Sequence, residues 1–119
     1  MQFLMLVCGE PEGTTTAVTE DDREAAPDVE QWWQSANDEG TYVMGERLRP
    51  ATEAVTVRVR AGQVLRTDGP FAEVNEIVYG FDVLECDSMD EAVRIASGHP
   101  MAYAGVIEVR AMWPFDGGE

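Results

Sequence analysis

The pattern of apolar positions predicts a chain in which strands and helices alternate. The opening run from Phe3 to Cys8 is continuously apolar, which is typical of a central strand covered on both faces or by a partner. Val29, Trp32, Trp33 and Ala36 then recur with the i, i+3, i+4, i+7 spacing of one helical face. The polar residues 9–27 between these two elements are expected to form a solvated, mobile loop, in which one helical turn could form.

Strands dominate the middle of the chain. Valine at every second position from Val55 to Val59, with polar residues between, predicts a strand with one solvated face. The short turn Ala61-Gly62 joins this strand to the next apolar run, so that the two form a hairpin. Gly80 inside a later strand predicts close backbone approach or a bulge. The strands predicted after the first helix are 42–48, 55–60, 64–66, 77–86 and 104–112.

A second helix follows the strand that ends near Cys86. Ser88 stands three residues before Glu91, the spacing of a capping box in which each side chain binds a free backbone N–H. A Gly-His-Pro sequence at 98–100 is expected to end the helix. The predicted apolar face of this helix consists of Met89, Ala92, Val93 and Ala96.

Without the hairpin, the order of elements is β-α-β-β-α-β, the ferredoxin-like arrangement of an antiparallel sheet with two helices on one face. We therefore predict an α+β fold with an inserted β-hairpin, formed by a single domain over residues 1–119. The helices leave one sheet face bare, and a second copy of the chain could cover it, so a homodimer is expected.

Composition narrows the classes of function. The chain carries a formal net charge of −15, with no lysine, so it would repel phosphate backbones and anionic lipid, and neither nucleic acid nor membrane is an expected partner. The apolar start lacks a basic flank and a cleavage site, which favours a cytoplasmic protein over a secreted one. Cys8 and Cys86 show no metal-ligand spacing and are predicted to be free, buried thiols. No metal or cofactor is expected.

Connectivity places Asp68 and His99, the candidate catalytic residues, at one end of the predicted sheet. An imidazole beside a carboxylate is a plausible proton-transfer pair. The alternatives are structural: histidine after a helix end interacts with the free carbonyls, and Asp-Gly-Pro is a turn sequence. The candidate ligand-binding residues are Arg58, Gly69, Pro70, Phe71, Glu73 and Tyr79. These candidate ligand-binding residues also have structural alternatives. They could pack in the core or be exposed to solvent, and the arginine could pair with acids.

The segment Thr67-Asp68-Gly69-Pro70-Phe71-Ala72-Glu73 resembles the signature of the DGPF branch of the YCII-related proteins. Further segments extend the resemblance over most of the chain from about residue 40, together with the opening strand. They are Gly45-Glu46, Val55-Thr56-Val57-Arg58, Gly80-Phe81, His99-Pro100 and Gly105-Val106-Ile107-Glu108-Val109-Arg110.

This resemblance implies a dimeric α/β-barrel of ferredoxin-like subunits with a pocket near the dimer interface. It also implies a functional link to an extracytoplasmic-function sigma factor, and the wider superfamily includes proteins with a proposed His–Asp pair. Two positions depart from the pattern. The first helix has no histidine, so only His99 could supply one, and Val74-Asn75-Glu76 stands where relatives often have Thr-Lys-Glu.

Three functions remain open on the sequence. The first is a dimeric small-molecule-binding or regulatory module, in which the Asp68 loop shapes a pocket or contact surface. The second is a lyase- or isomerase-type enzyme that uses Asp68 and His99 as an acid/base pair. The third is a dimeric scaffold without a ligand.

Overall fold

A computed structural model describes residues 1–9, 17–69 and 77–116. Its elements follow the predicted order, with two additional short helices and one 3₁₀ turn. They are β1 (Gln2–Cys8), α1 (Glu20–Ala25), α2 (Val29–Asp38), β2 (Tyr42–Arg47), a 3₁₀ turn (Ala51–Glu53), β3 (Val55–Arg60), β4 (Gln63–Asp68), β5 (Val78–Glu85), α3 (Met89–Ala96), α4 (Pro100–Ala104) and β6 (Val106–Ala111).

Four of the strands form an antiparallel sheet in the order β2-β5-β1-β6. Together with α2 and α3, this order is the ferredoxin-like topology that the sequence pattern predicts. The predicted close approach at Gly80 is confirmed, because a Cβ there would lie 2.8 Å from the carbonyl oxygen of Glu46 on the neighbouring strand. The two remaining strands, β3 and β4, form the predicted hairpin as a separate two-stranded sheet.

The core lies between one face of the four-stranded sheet and the helices. Phe3, Met5 and Leu84 are almost completely buried on this face, as expected for alternate residues of adjacent strands. The helices contribute Trp32, Ala36, Ala92, Ile95 and Ala96. Cys8 and Cys86 are buried, as predicted, and form no disulfide among the described residues, and burial raises the pKa of the Cys86 thiol.

The helices begin where the sequence signals place them, with differences in detail. Asp28 caps α2, and the Ser88 hydroxyl accepts a hydrogen bond from the backbone N–H of Glu91. The Glu91 carboxylate, however, accepts from the N–H of Asp87 and not of Ser88, so the predicted capping box is only half formed. Thr19 and Asp22 form a complete capping box at α1.

In both α2 and α3, the face that is buried differs by a rotation from the face that the apolar spacing predicts. In α2, Val29 and Trp33 remain about half exposed, whereas Trp32 and Ala36 are buried. The periodicity alone could not choose between adjacent residues of an apolar stripe, because the docking angle of a helix depends on its neighbours. In α3 the buried positions are Ala92, Ile95 and Ala96, while Met89 and Val93 are exposed.

Candidate functional site

Asp82 lies inside the central strand β5, on the face that the helices cover. It pairs in register with Met5 of β1 and Gly45 of β2, and the side chain of Met5 is completely buried. Adjacent strands place paired residues on the same face, so the Asp82 carboxylate points into the layer between sheet and helices. Its side chain is only 14% exposed, which is unusual for an aspartate.

Gly45 provides the space that the Asp82 carboxylate occupies. A Cβ at this position would collide with Asp82 Oδ1, would lie 2.6 Å from the Tyr42 hydroxyl and would lie 2.7 Å from the carbonyl oxygen of Phe81. Because one of these groups is backbone, the neighbours could not all move aside. The glycine is therefore a structural requirement of the site.

Tyr42 supplies one hydrogen bond to the buried carboxylate. Its hydroxyl donates to Asp82 Oδ1 at 3.3 Å from the first residue of β2. Burial raises the pKa of Tyr42, and the negative charge of Asp82 raises it further, so the phenol stays protonated and remains a donor.

His99 lies on the other side of the same carboxylate. Its Nε2 is 4.0 Å from Asp82 Oδ2, and its side chain is 8% exposed. The other ring nitrogen, Nδ1, accepts a hydrogen bond from the backbone N–H of Met101 at 3.0 Å and thereby caps α4. An accepting Nδ1 carries no proton, so in the neutral ring the proton is on Nε2, the nitrogen that faces Asp82.

Trp32 forms the apolar wall of the site. Its ring meets that of His99 at a centroid distance of 4.8 Å and an angle of 73°, and that of Tyr42 at 6.1 Å and 85°. Both are edge-to-face arrangements, which aromatic pairs favour. The indole N–H donates to the carbonyl oxygen of Ile95 at 2.7 Å, which fixes the ring against α3.

The electrostatics of the site follow from its burial. Burial raises the pKa of Asp82, although the Tyr42 hydrogen bond opposes this shift. Burial also lowers the pKa of His99. Desolvation disfavours the charged form of each group, so the two pKa values move toward one another. Among the ion pairs of the described residues, Asp82 has no partner other than His99.

The carboxylate that lies beside His99 is not that of Asp68, and the catalytic roles of Asp68 and His99 stay predictions. Asp68 ends β4, where its carboxylate is 87% exposed and lies 3.4 Å from Nε of Arg66. The carboxylate beside His99 is that of Asp82, from a different strand. The side chain of His99 caps the start of α4, a helix that the sequence pattern missed, while the backbone N–H of His99 donates to the carbonyl oxygen of Ala96 at the end of α3.

Three of the predicted ligand-binding residues lie in the described part of the chain, two of them in the hairpin and one in β5. Gly69 closes the base of the hairpin: its N–H donates to the carbonyl of Ala54, and its carbonyl accepts from the Thr56 hydroxyl. Arg58 is half-buried in β3, and Tyr79 is exposed at the start of β5, with its ring against Gly9. Pro70, Phe71 and Glu73 lie outside the described residues.

The sequence pattern missed Asp82 and Tyr42. The available signal was an ionisable residue in the interior of an apolar strand, at Phe81-Asp82-Val83. A strand with one solvent-exposed face can carry a charged residue on that face at little energetic cost. The pattern therefore could not show whether Asp82 lies on the exposed or the buried face.

A groove lies beside the site, between α2 and α3. It has a volume of about 360 Å³, which is within the range of small-molecule pockets. Trp32 contributes to its wall and also contacts His99, while Glu39 and Arg94 form an ion pair of 2.9 Å at its rim. The described residues contain no group of three or more potential metal ligands.

Comparison with known proteins agrees with this architecture. The YCII-related domain family matches residues 1–116, and the chain therefore belongs to this family. It is also similar to an uncharacterized protein of Rhizobium meliloti (strain 1021), with 33% identity over 117 residues, which cover 96% of this chain and 94% of that protein. In the described part of the chain, no helix is long and apolar enough to cross a membrane.

Proposed function

We propose that this YCII-related protein binds a small organic molecule as a homodimer, and that Asp82, flanked by Tyr42 and His99, is the polar centre of the binding site. The observation that carries the proposal is the buried Asp82 carboxylate without an arginine partner among the described residues. A carboxylate in such a place reduces stability, since burial costs free energy that one neutral hydrogen bond does not recover. Titratable groups shifted by burial cluster at functional sites.

The charge of the site favours a particular class of ligand. Asp82 accepts hydrogen bonds, and His99 presents an N–H toward it, so a ligand that approaches the carboxylate must donate a hydrogen bond. The chain carries a net charge of −15, which would repel anions. We therefore expect neutral hydroxyl compounds or amines to bind in preference to phosphates or carboxylates.

A second function, proton transfer in a lyase- or isomerase-type reaction, is favoured by the opposite shifts of Asp82 and His99. A raised carboxyl pKa and a lowered imidazole pKa bring the two proton affinities together, which suits transfer near neutral pH. In this mechanism Asp82 replaces Asp68 as the acid/base partner. Asp82 takes a proton from a carbon of the substrate and returns it to another, while His99 and Tyr42 orient the carboxylate.

The proposed homodimer accounts for the sheet face opposite the core. Leu4, Leu6 and Phe81 alternate with the core residues of their strands, and they are only half-buried, while Met44 is exposed. Apolar groups on a surface of this kind are stabilised when a second copy covers them. A regulatory role with a sigma factor remains a prediction of the family resemblance, and co-purification of the two proteins from cells would test it.

Ligand-observed NMR with a library of small amines, alcohols and acids tests the proposed binding site. Wild type and Asp68→Asn should bind the same compounds, mostly amines or neutral hydrogen-bond donors. Asp82→Asn should bind these compounds with an affinity about tenfold lower or more, because it lacks the charged acceptor. Equal binding by Asp82→Asn, with its fold confirmed by amide spectra, would disprove the assigned site. If the wild type converts a bound compound and Asp82→Asn does not, the protein is an enzyme that depends on Asp82.

A further inference from the structure

The side chains of Asp82 and His99 face each other across a gap. Oδ2 of Asp82 and Nε2 of His99 are 4.0 Å apart, whereas a direct N–H···O hydrogen bond spans about 2.7–3.2 Å. The other two polar atoms of the pair are already engaged. Oδ1 accepts from the Tyr42 hydroxyl, and Nδ1 accepts from the backbone N–H of Met101. Oδ2 and Nε2 are therefore the atoms left to bind a further group.

The gap is accessible from solvent. Among the described residues that are not exposed, every side-chain nitrogen or oxygen that is shielded from solvent has a hydrogen bond. Oδ2 of Asp82 and Nε2 of His99 have no hydrogen bond within the described part of the chain, so both atoms must touch solvent. The two side chains are only 14% and 8% exposed, so the opening is narrow. It suits the terminal group of a slender molecule.

A single oxygen atom has the right reach to bridge the gap. If it lies about 2.8 Å from both Oδ2 and Nε2, it sees the two atoms at an angle of about 90°, because they are 4.0 Å apart. A hydroxyl oxygen can accept one hydrogen bond and donate another over such an angle. One ligand atom can therefore bind Asp82 and His99 together.

The tautomer of His99 decides which kind of group completes the gap. Because the N–H of Met101 occupies Nδ1, the neutral ring carries its proton on Nε2 and donates into the gap, where Asp82 accepts. The bridging group must accept from Nε2 and donate to Oδ2. A hydroxyl group does both. An ammonium group only donates and meets the imidazole N–H, while an ether oxygen only accepts.

We propose that the gap between Asp82 and His99 selects a ligand hydroxyl group, and that the natural ligand of the site is a slender alcohol. This inference rests on the small-molecule binding proposed above. It narrows the class of ligand from hydrogen-bond donors in general to alcohols, and it makes His99 a residue that determines specificity.

Three probes of similar size test the selection: butan-1-ol, butan-1-amine and 1-methoxypropane. Each is titrated into the wild type at about pH 7.5, where an imidazole with the ordinary pKa of about 6.5 is neutral. The amide NMR signals of Asp82 and Met101 give the dissociation constants. Butan-1-ol should bind about fivefold more tightly than the amine or the ether, the factor expected for one neutral hydrogen bond. Equal or tighter binding of the amine or the ether, or no binding of butan-1-ol, overturns the proposal.

Asp82→Asn distinguishes this failure from failure of the proposed binding site. If the amine binds wild type more tightly than the alcohol and loses affinity in Asp82→Asn, the preference for a hydroxyl group is refuted and the Asp82 site stands. If Asp82→Asn binds the probes as tightly as wild type, both the site and the preference are refuted.

His99→Asn removes the imidazole N–H but retains a cap for α4. Asparagine is a preferred N-cap residue whose side-chain oxygen can accept from the N–H of Met101. Butan-1-ol should lose about fivefold in affinity and the amine should lose none, so the preference disappears. Asp28→Asn makes a matched change at the cap of α2 and should leave the preference unchanged. A preference that persists in folded His99→Asn refutes the role of His99. If this variant does not fold, the comparison of probes in the wild type decides.

Discussion

Oδ2 of Asp82 lies 4.0 Å from Nε2 of His99. Asp82 is on the buried face of the central strand β5, whereas His99 comes from the start of α4. Nδ1 of the same histidine is occupied by the N–H of Met101, so the ring can present only its Nε2 to the carboxylate. The capping bond thus fixes both the tautomer and the orientation of the imidazole. The relationship makes the only histidine of the chain a direct reporter on Asp82.

The pKa of His99 should respond to Asp82 and not to Asp68. In wild type we expect a pKa below the ordinary value of 6.5, because the ring is buried. Asp82→Asn removes a nearby negative charge and should lower this pKa further, whereas Asp68→Asn should leave it unchanged. NMR titration of the ring signals measures the values. A wild-type pKa above 6.5, or a response to Asp68→Asn, would contradict this assignment.

Asp82→Asn should stabilise the protein at neutral pH. The folded-state pKa of Asp82 is raised above 3.8, so the folded protein binds the carboxyl proton more tightly than the unfolded chain does. The wild type therefore loses stability as the pH rises from 3.8 through the raised pKa, and asparagine avoids this loss. Urea unfolding at pH 7 should show a gain in the free energy of unfolding that shrinks toward pH 4. Asp68→Asn, at an exposed site, should change the free energy of unfolding little. A gain for Asp82→Asn that is constant with pH would argue against a buried charge at Asp82.

Gly45→Ala should disrupt the site, whereas Gly98→Ala should not. A Cβ at Gly45 would collide with Asp82 and approach the Phe81 carbonyl to 2.7 Å, while at Gly98 the nearest atom, in Trp32, is at an ordinary 3.4 Å. We expect a loss of about 1–3 kcal/mol for Gly45→Ala and of less than about 1 kcal/mol for Gly98→Ala. Thermal or urea unfolding gives the two values. Similar stability in both variants would show that Asp82 and Tyr42 can move aside.

Trp32→Phe should cost more than Trp33→Phe. The first change removes the indole N–H that binds the Ile95 carbonyl at 2.7 Å in a buried place, and so leaves that carbonyl without this donor. Trp33 is 47% exposed, and most of its apolar area would survive in phenylalanine. The expected losses are about 1–3 kcal/mol and about 0.5 kcal/mol. The His99 ring signals should shift in Trp32→Phe, because the two rings are in contact.

The turn between β3 and β4 can be strengthened at Ala61. This residue has a φ of 49°, a left-handed conformation that alanine adopts at a cost and asparagine tolerates. Ala61→Asn should stabilise the hairpin by about 0.5–1 kcal/mol, and Gly62→Ala, at a φ of 75°, should destabilise it by a similar amount. Amide hydrogen exchange of β3 and β4 reports the local change. Faster exchange in Ala61→Asn would contradict the turn geometry.

The sequence by itself determined the order of the elements and the fold class. Alternating valines, the helical spacing around Trp32 and the Ser88 cap are local signals, because side-chain periodicity and capping depend on residues only a few positions apart. The same locality explains the predicted turn at Ala61-Gly62 and the correct burial of the two cysteines.

Only the tertiary structure decided which polar residues meet. Asp82 and His99 come from different elements, and their contact depends on the face that β5 turns to the helices and on the position of α4, which the pattern did not predict. The choice of Asp68 followed from connectivity, which places residues at an end of a sheet but does not orient their side chains. A one-residue change of register moves a side chain to the opposite face of a sheet, so pairing decides whether an aspartate is solvated or buried beside the only histidine.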